Sequence, residues 1–138
     1  HVVDIATLTG SIVQTLGSAV SGLFCEDATL RDALVQCADA SGDALWPMPM
    51  IEEYRRYLDC SFADLNNIRN DGDRAAGAIL AALFLREFAP PDVAWAHLDI
   101  AGTYMTESSG RPWKYFQPGA TGVGARLLCA LAEALGHN

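Results

Sequence analysis

The chain alternates short apolar runs with amphipathic stretches, and its hydrophobic period switches between two and that of a helix. Val2 to Ala6 is rich in β-branched residues and reads as a strand that stops in the small-residue turn Thr7 to Gly10. Ser11 to Leu16 follows as a short helix broken by Gly17, and Val20 to Cys25 as a second strand. Asp27 or Thr29 can cap the next helix, which runs to about Ala40 with Leu30, Leu34, Val35 and Ala38 on one face and ends at Ser41-Gly42-Asp43. Trp46-Pro47-Met48-Pro49-Met50 is extended, because each proline restricts the residue before it. Ile51 to Leu58 reads as a short amphipathic helix, Phe62 to Ile68 as a strand, and Asn70 to Asp73 as a turn. Arg74 to Phe88 is predicted as the central helix, stopped by Pro90-Pro91, and Val93 to Ile100 as a central strand. Gly102 to about Ala120 shows no period; unstructured stretches of that length inside a domain are functional or disordered. Thr121 to Leu135 closes the chain as a helix with Val123, Leu127, Leu128, Leu131 and Leu135 on its apolar face.

Alternating strands and helices predict an α/β fold with a largely parallel sheet. At 138 residues this is one domain or part of one. His1 stands directly inside the first strand, with no initiator Met and no secretory leader, so the expectation is a piece of a longer chain. Hydrophobic residues make up 51%, enough for a packed core, yet no apolar run reaches the roughly 18 residues of a membrane span. The net charge of −8 opposes nonspecific binding to nucleic acid, which needs cations against phosphates. Cys25, Cys37, Cys60 and Cys129 contain no C-x-x-C spacing, and three sit in or beside apolar segments. They read as buried free thiols, which fits a reducing cytoplasm.

Two strands end in small-residue turns: Asp4-Ile5-Ala6-Thr7-Leu8-Thr9-Gly10 and Trp95-Ala96-His97-Leu98-Asp99-Ile100-Ala101-Gly102. Paired endings of this kind build a binding crevice at the carboxyl edge of an open α/β sheet. Unpaired N–H groups at the helix start can face an oxyanion, and the Leu8 carbonyl an ammonium. His97 and Asp99 share a face at i, i+2; they read as buried groups satisfying backbone donors, with a metal-ligand pair as the sharper alternative. Asp4 reads as an isolated acid. The cluster from Asn66 to Asp73 lacks the terminal Glu of a calcium loop and reads as turn chemistry. Gly119-Ala120-Thr121-Gly122-Val123-Gly124 opens a helix, but no strand directly precedes it, which argues against dinucleotide binding.

The sequence resembles the leucyl (cytosol) aminopeptidase family of two-metal exopeptidases. Beside the two strand-turn motifs, Ala63-Asp64-Leu65-Asn66-Asn67-Ile68, Arg74-Ala75-Ala76-Gly77-Ala78-Ile79 and Gly119-Ala120-Thr121-Gly122 occur in the family's order, and Trp46-Pro47-Met48-Pro49 sits where the family has a similar stretch. The resemblance spans essentially the whole chain. It implies a three-layer α/β/α sandwich with a mostly parallel or mixed sheet, residues 1–138 forming a single domain that is the C-terminal portion of the catalytic domain.

It implies removal of N-terminal residues from peptides by two bridged divalent cations, zinc or manganese, with bound bicarbonate. The family's metal ligands, including an Asn-Thr-Asp-Ala-Glu-Gly-Arg segment, precede the first motif here, so this chain is expected to hold no metal ligand and no catalytic residue and to be inactive alone. Thr7, Leu8, Thr9 and Gly10 match the substrate-contacting turn. Ala101 matches a wall of the pocket for the first side chain, and Tyr104 or Met105 the pocket-side position often held by Met. Asp99 and His97 match no family metal ligand. The implied partners are peptide substrates, the missing N-terminal half and a homo-hexameric assembly, with no nucleic acid and no membrane. Without that half, the Val2 to Ala6 strand is expected to leave a sticky sheet edge and to favour self-association. The stretches from Ile68 to Arg74 and from Thr103 to Gly119 are longer than in the family. The competing reading is a non-catalytic α/β interaction or structural module derived from such an enzyme.

Overall fold

Two strands run through the middle of the sheet, and every residue of both is buried: β2 (Ser21–Cys25) and β4 (Trp95–Asp99). The computed structural model describes residues 1–106 and 118–136. Around these strands it sets β1 (Val2–Ala6) and β3 (Leu45–Met48) in the order β1-β4-β2-β3. β1 pairs parallel with β4 and β2 parallel with β3, while β2 and β4 run antiparallel. The sheet is therefore mixed, with two of its three pairings parallel, within the expected mostly parallel or mixed arrangement.

Alternation along the strands gives the sheet two apolar faces. Leu23, Cys25, Ala96 and Leu98 meet helices α2 (Ala28–Ser41) and α4 (Ala125–Gly136) through Leu30, Leu34, Leu127 and Leu131. On the opposite face Phe24 packs with Ile12 of α1 (Gly10–Leu16) and with Ala78 and Ala82 of α3 (Gly77–Arg86). A second cluster, Leu58, Leu80 and Leu83, ties α3 to a 3₁₀ helix at Glu52–Leu58. The result is the expected α/β/α layering. Asp27 caps α2, its carboxylate accepting from Leu30 N at 2.7 Å, and Gly42 ends that helix at φ 78°, where a side chain would be strained.

Several boundaries differ from the sequence reading. Phe62 to Ile68 forms no strand: Phe62 is 88% and Ile68 72% exposed, so the segment has no buried face to stack. Its backbone is taken instead by local bonds, Asn66 N to Leu58 O and Asn70 N to Tyr57 O, and by the Asn70 amide on Arg56 O and Asp59 O. α3 begins at Gly77, not Arg74, because Ala76 sits in the left-handed region at φ 58° and the Asp73 carboxylate holds Arg74 N and Ala75 N outside the helix. α4 begins at Ala125, not Thr121; Gly122 and Gly124 both have positive φ, and Gly124 N is bonded to Asp43. β4 stops at Asp99, and its flank Val93 is tied to Pro90 O in a turn. The Gly102 to Ala120 stretch contains a two-strand ladder, β5 (Met105–Thr106) with β6 (Gly119–Ala120), and the rest of it lies outside the described residues. Cys25 and Cys37 are buried free thiols, but Cys60 is half-buried and Cys129 exposed, since it falls on the solvent side of α4.

Candidate functional site

The parallel pairing of β1 with β4 places Ala6 opposite Asp99, so both strands end together and their turns meet. Asp99 is 1% exposed and has no cation beside it among the described residues, yet it is fully engaged. Its Oδ1 accepts from Leu8 N at 3.1 Å and Ala101 N at 3.2 Å, with a weaker bond from Thr9 N at 3.5 Å. Its Oδ2 accepts from the Thr9 hydroxyl at 2.7 Å. The same hydroxyl accepts from Ile12 N at 3.1 Å and so caps α1. A buried carboxylate is costly unless donors replace its water, and here two turns supply them. The physical effect is a clamp: one side chain fixes Leu8, Thr9 and Ala101 relative to one another. Gly102 completes the approach, because a Cβ there would collide with the Gly17 carbonyl at the end of α1.

The predicted residues separate into groups. Leu8, Thr9 and Ala101 are brought together by Asp99; Thr7 and Gly10 flank them on the exposed turn. Tyr104 (44% exposed) and Met105 (49% exposed) follow Gly102, with the Tyr104 carbonyl accepting from Thr121 N. Met105 lines a different cavity, beside Ser18, Asp43 and Thr103. The sequence reading of Asp99 as a group satisfying backbone donors holds, but the donors lie in the Leu8–Thr9 turn as well as in its own, which only tertiary pairing reveals.

Asp4 is not isolated. Its Oδ2 accepts from Trp95 Nε1 at 2.7 Å and its Oδ1 bonds His97 Nδ1 directly across the β1–β4 ladder. His97 is fully buried between Phe24 and Trp95, and its Nε2 has no partner among the described residues. With Asp99 committed to four donors and Asp4 to two, neither is a free metal ligand. Among the described residues no three His, Cys, Asp or Glu side chains gather as a metal site. The described residues do not by themselves fit a metal.

A second wall faces the turn. Leu8 and Thr9 share a cleft of about 740 Å³ with Ile68, Asp73, Arg74 and Gly77, a size in the ~300–1,000 Å³ range of small-ligand sites. Arg69 braces its rim: the guanidinium lies 3.9 Å over the Tyr57 ring and bonds Asp71 through Nε at 2.8 Å. That bond holds the Asp71 carboxyl down at about 2 and pushes the Arg69 guanidinium further up. Sequence reading saw turn chemistry here, and gave no sign that this loop folds back onto the Leu8 turn.

The catalytic-domain model of the cytosol aminopeptidase family matches residues 1–129. A probable cytosol aminopeptidase of Streptomyces coelicolor is 42% identical over 132 residues, 96% of this chain and 25% of that protein. Among solved structures, a variant of tomato leucine aminopeptidase matches with a TM-score of 0.82 and 37% identity, covering 94% of this chain and 23% of its own. The bottromycin maturation enzyme BotP, solved in complex with Mn, matches at 0.87 and 34%, covering 96% and 28%. The chain thus spans about a quarter of the length of the relatives it matches.

Proposed function

This chain belongs to the cytosol aminopeptidase family, and from that premise we propose that the whole protein removes N-terminal residues from peptides, with this chain supplying walls of the substrate pocket. The observation that carries the reading is the Asp99 clamp. It holds Leu8, Thr9 and Ala101, positions to which the resemblance gives substrate contacts, in one rigid arrangement. In this reading the Leu8 backbone orients the substrate, Thr7, Gly10 and Ala101 line the pocket for the first side chain, and Tyr104 closes it, since Met105 lines the cavity beside Ser18 and Asp43. A preorganised turn costs no ordering when substrate arrives.

Two divalent cations, zinc or manganese, and a bound bicarbonate belong to the whole protein in this reading. In this reading their ligands lie, as the resemblance implies, in the part of the protein outside this chain. We assign a homo-hexameric assembly, as the resemblance implies, and a cytoplasmic location, in line with the relatives' name. No helix among the described residues is long and apolar enough to cross a membrane.

The test compares the full-length protein with the pure 138-residue chain on a leucine p-nitroanilide substrate, with Mn²⁺ and with chelator. The expected result is metal-dependent release by the full protein and none by the chain. Release by the chain alone overturns the assignment of the chemistry to the missing part. No release by the full protein under any metal leaves the non-catalytic module.

A further inference from the structure

The seven arginines among the described residues are not alike. Arg31, Arg55, Arg56, Arg69, Arg86 and Arg126 each have a side-chain hydrogen-bond partner. Arg74 has none among the described residues, and it lines the cleft that Leu8 and Thr9 share. Nearby acids are already engaged: Asp73 Oδ1 accepts from Arg74 N and Ala75 N while its Oδ2 faces Arg69 at 3.4 Å, and Asp71 is bound to Arg69. Arg74 is thus an open cation, in a chain of net charge −8, at the edge of the turn read as the substrate contact. Its anchor is firm, since Asp73 fixes its amide and Ala76 holds a constrained left-handed conformation two residues on.

We propose that Arg74 binds a carboxylate on the part of the peptide beyond the scissile bond, and so sets a preference for substrates that carry one there. The proposal rests on the aminopeptidase reading. In that reading the first side chain goes to Thr7, Gly10, Ala101 and Tyr104, none of which lines this cleft. The cleft is therefore the space left for the remainder of the peptide. A guanidinium matches a carboxylate in a two-point fork, which an ammonium or a neutral amide cannot reproduce. The carboxylate can be the C-terminus of a dipeptide or an acidic side chain in the second residue; both offer the same chemistry.

The experiment uses the full-length, metal-loaded protein and four substrates: Leu-Gly, Leu-Gly-amide, Leu-Asp-amide and Leu-Asn-amide. The readout is the ratio of kcat/KM within each pair, which cancels any change in the amount of folded enzyme. The wild type is expected to favour the carboxylate-bearing member of at least one pair about tenfold, through KM, and less so at high salt. Preference in the first pair assigns the dipeptide terminus, and in the second the side chain. Arg74→Gln is expected to bring the ratio close to one, and Arg74→Lys to restore part of it. A wild-type ratio near one in both pairs, or a ratio that survives Arg74→Gln, overturns this proposal alone. No hydrolysis of any of the four overturns it together with the aminopeptidase reading.

Discussion

Replacing Asp99 by Asn tests whether the clamp holds the turn. The change is nearly isosteric, so packing is preserved and only hydrogen bonding and charge differ. The amide oxygen can still accept from Leu8 N and Ala101 N, which lie 3.1 and 3.2 Å from Oδ1. The amide nitrogen cannot accept from the Thr9 hydroxyl, now 2.7 Å from Oδ2. The Thr9 hydroxyl proton loses its charged acceptor, a bond worth about 1.5–3 kcal/mol, a reversed neutral bond from the amide N–H to the Thr9 oxygen replaces it only in part, and the others weaken. Relief of the buried charge offsets part of this, so about 2 kcal/mol is expected. Because 1.4 kcal/mol is about tenfold, local amide exchange at Leu8 and Ala101 should accelerate roughly 30-fold. Thr9→Val removes the same bond from the other side, together with the α1 cap worth about 1 kcal/mol. The double variant should therefore cost less than the sum of the singles by at least about 1 kcal/mol. Hydrogen exchange on the full-length protein, read over Ala6–Ile12 and Ile100–Tyr104, gives all three values. Strict additivity, or acceleration spread evenly over the whole chain, would refute the clamp.

Three further outcomes follow from other parts of the structure. Ala76→Gly should raise the unfolding midpoint, with a gain of about 0.5–1 kcal/mol: the left-handed conformation costs an L-residue roughly 1–2 kcal/mol, and the added freedom of the unfolded chain returns part of that; a lower midpoint would mean Ala76 is not strained. Carbon-13 titration should place the Asp71 midpoint near 2 rather than at the ordinary 3.8, because Arg69 bonds its charged form. A depressed carboxyl stabilises the folded loop above its ordinary value and loses that contribution as pH falls through about 2, so the Arg69–Asp71 contact should persist at pH 3; an ordinary midpoint, or one unmoved by Arg69→Gln, would contradict it. Alkylation of the folded protein at pH 8 should modify Cys129 first and Cys25 and Cys37 last, since burial pushes the Cys25 thiol up; early loss of Cys25 would contradict the packing under α2.

What could be read from the chain and what could not divides along contact range. The strands and helices with a strong signal, Val2–Ala6, Ala28–Ser41 and Trp95–Asp99, were legible within a residue or two, because the helix buries one continuous face and the strands are short apolar runs that end in turn residues. Two of the failures came where groups eight or more positions apart in the chain pair with one another. Gly124 N is held by Asp43, which delays α4; the folded-back loop from Asp59 to Asn70 spends its amides on Leu58, Tyr57 and Arg56, which prevents a strand. Neither partner is near enough in sequence for a periodicity argument to reach. The site divides in the same way. The turn Thr7 to Gly10 and the small residues after Asp99 were visible as strand endings, and the resemblance gave them a role. That Asp99 itself joins them was not visible, since an acid at a strand end is compatible with a dozen structural duties. Its duty is set by register: only the parallel pairing that puts Ala6 opposite Asp99 brings Oδ1 within reach of Leu8 N, 91 positions earlier in the chain. A one-residue slip of β1 would turn every β1 side chain to the other face and leave the Asp99 carboxylate buried without donors, so the clamp and the sheet register enforce each other. The rigidity of the Thr7–Gly10 turn is thus a property of the β1–β4 ladder, and any change that loosens the ladder should loosen the turn before it unfolds the core.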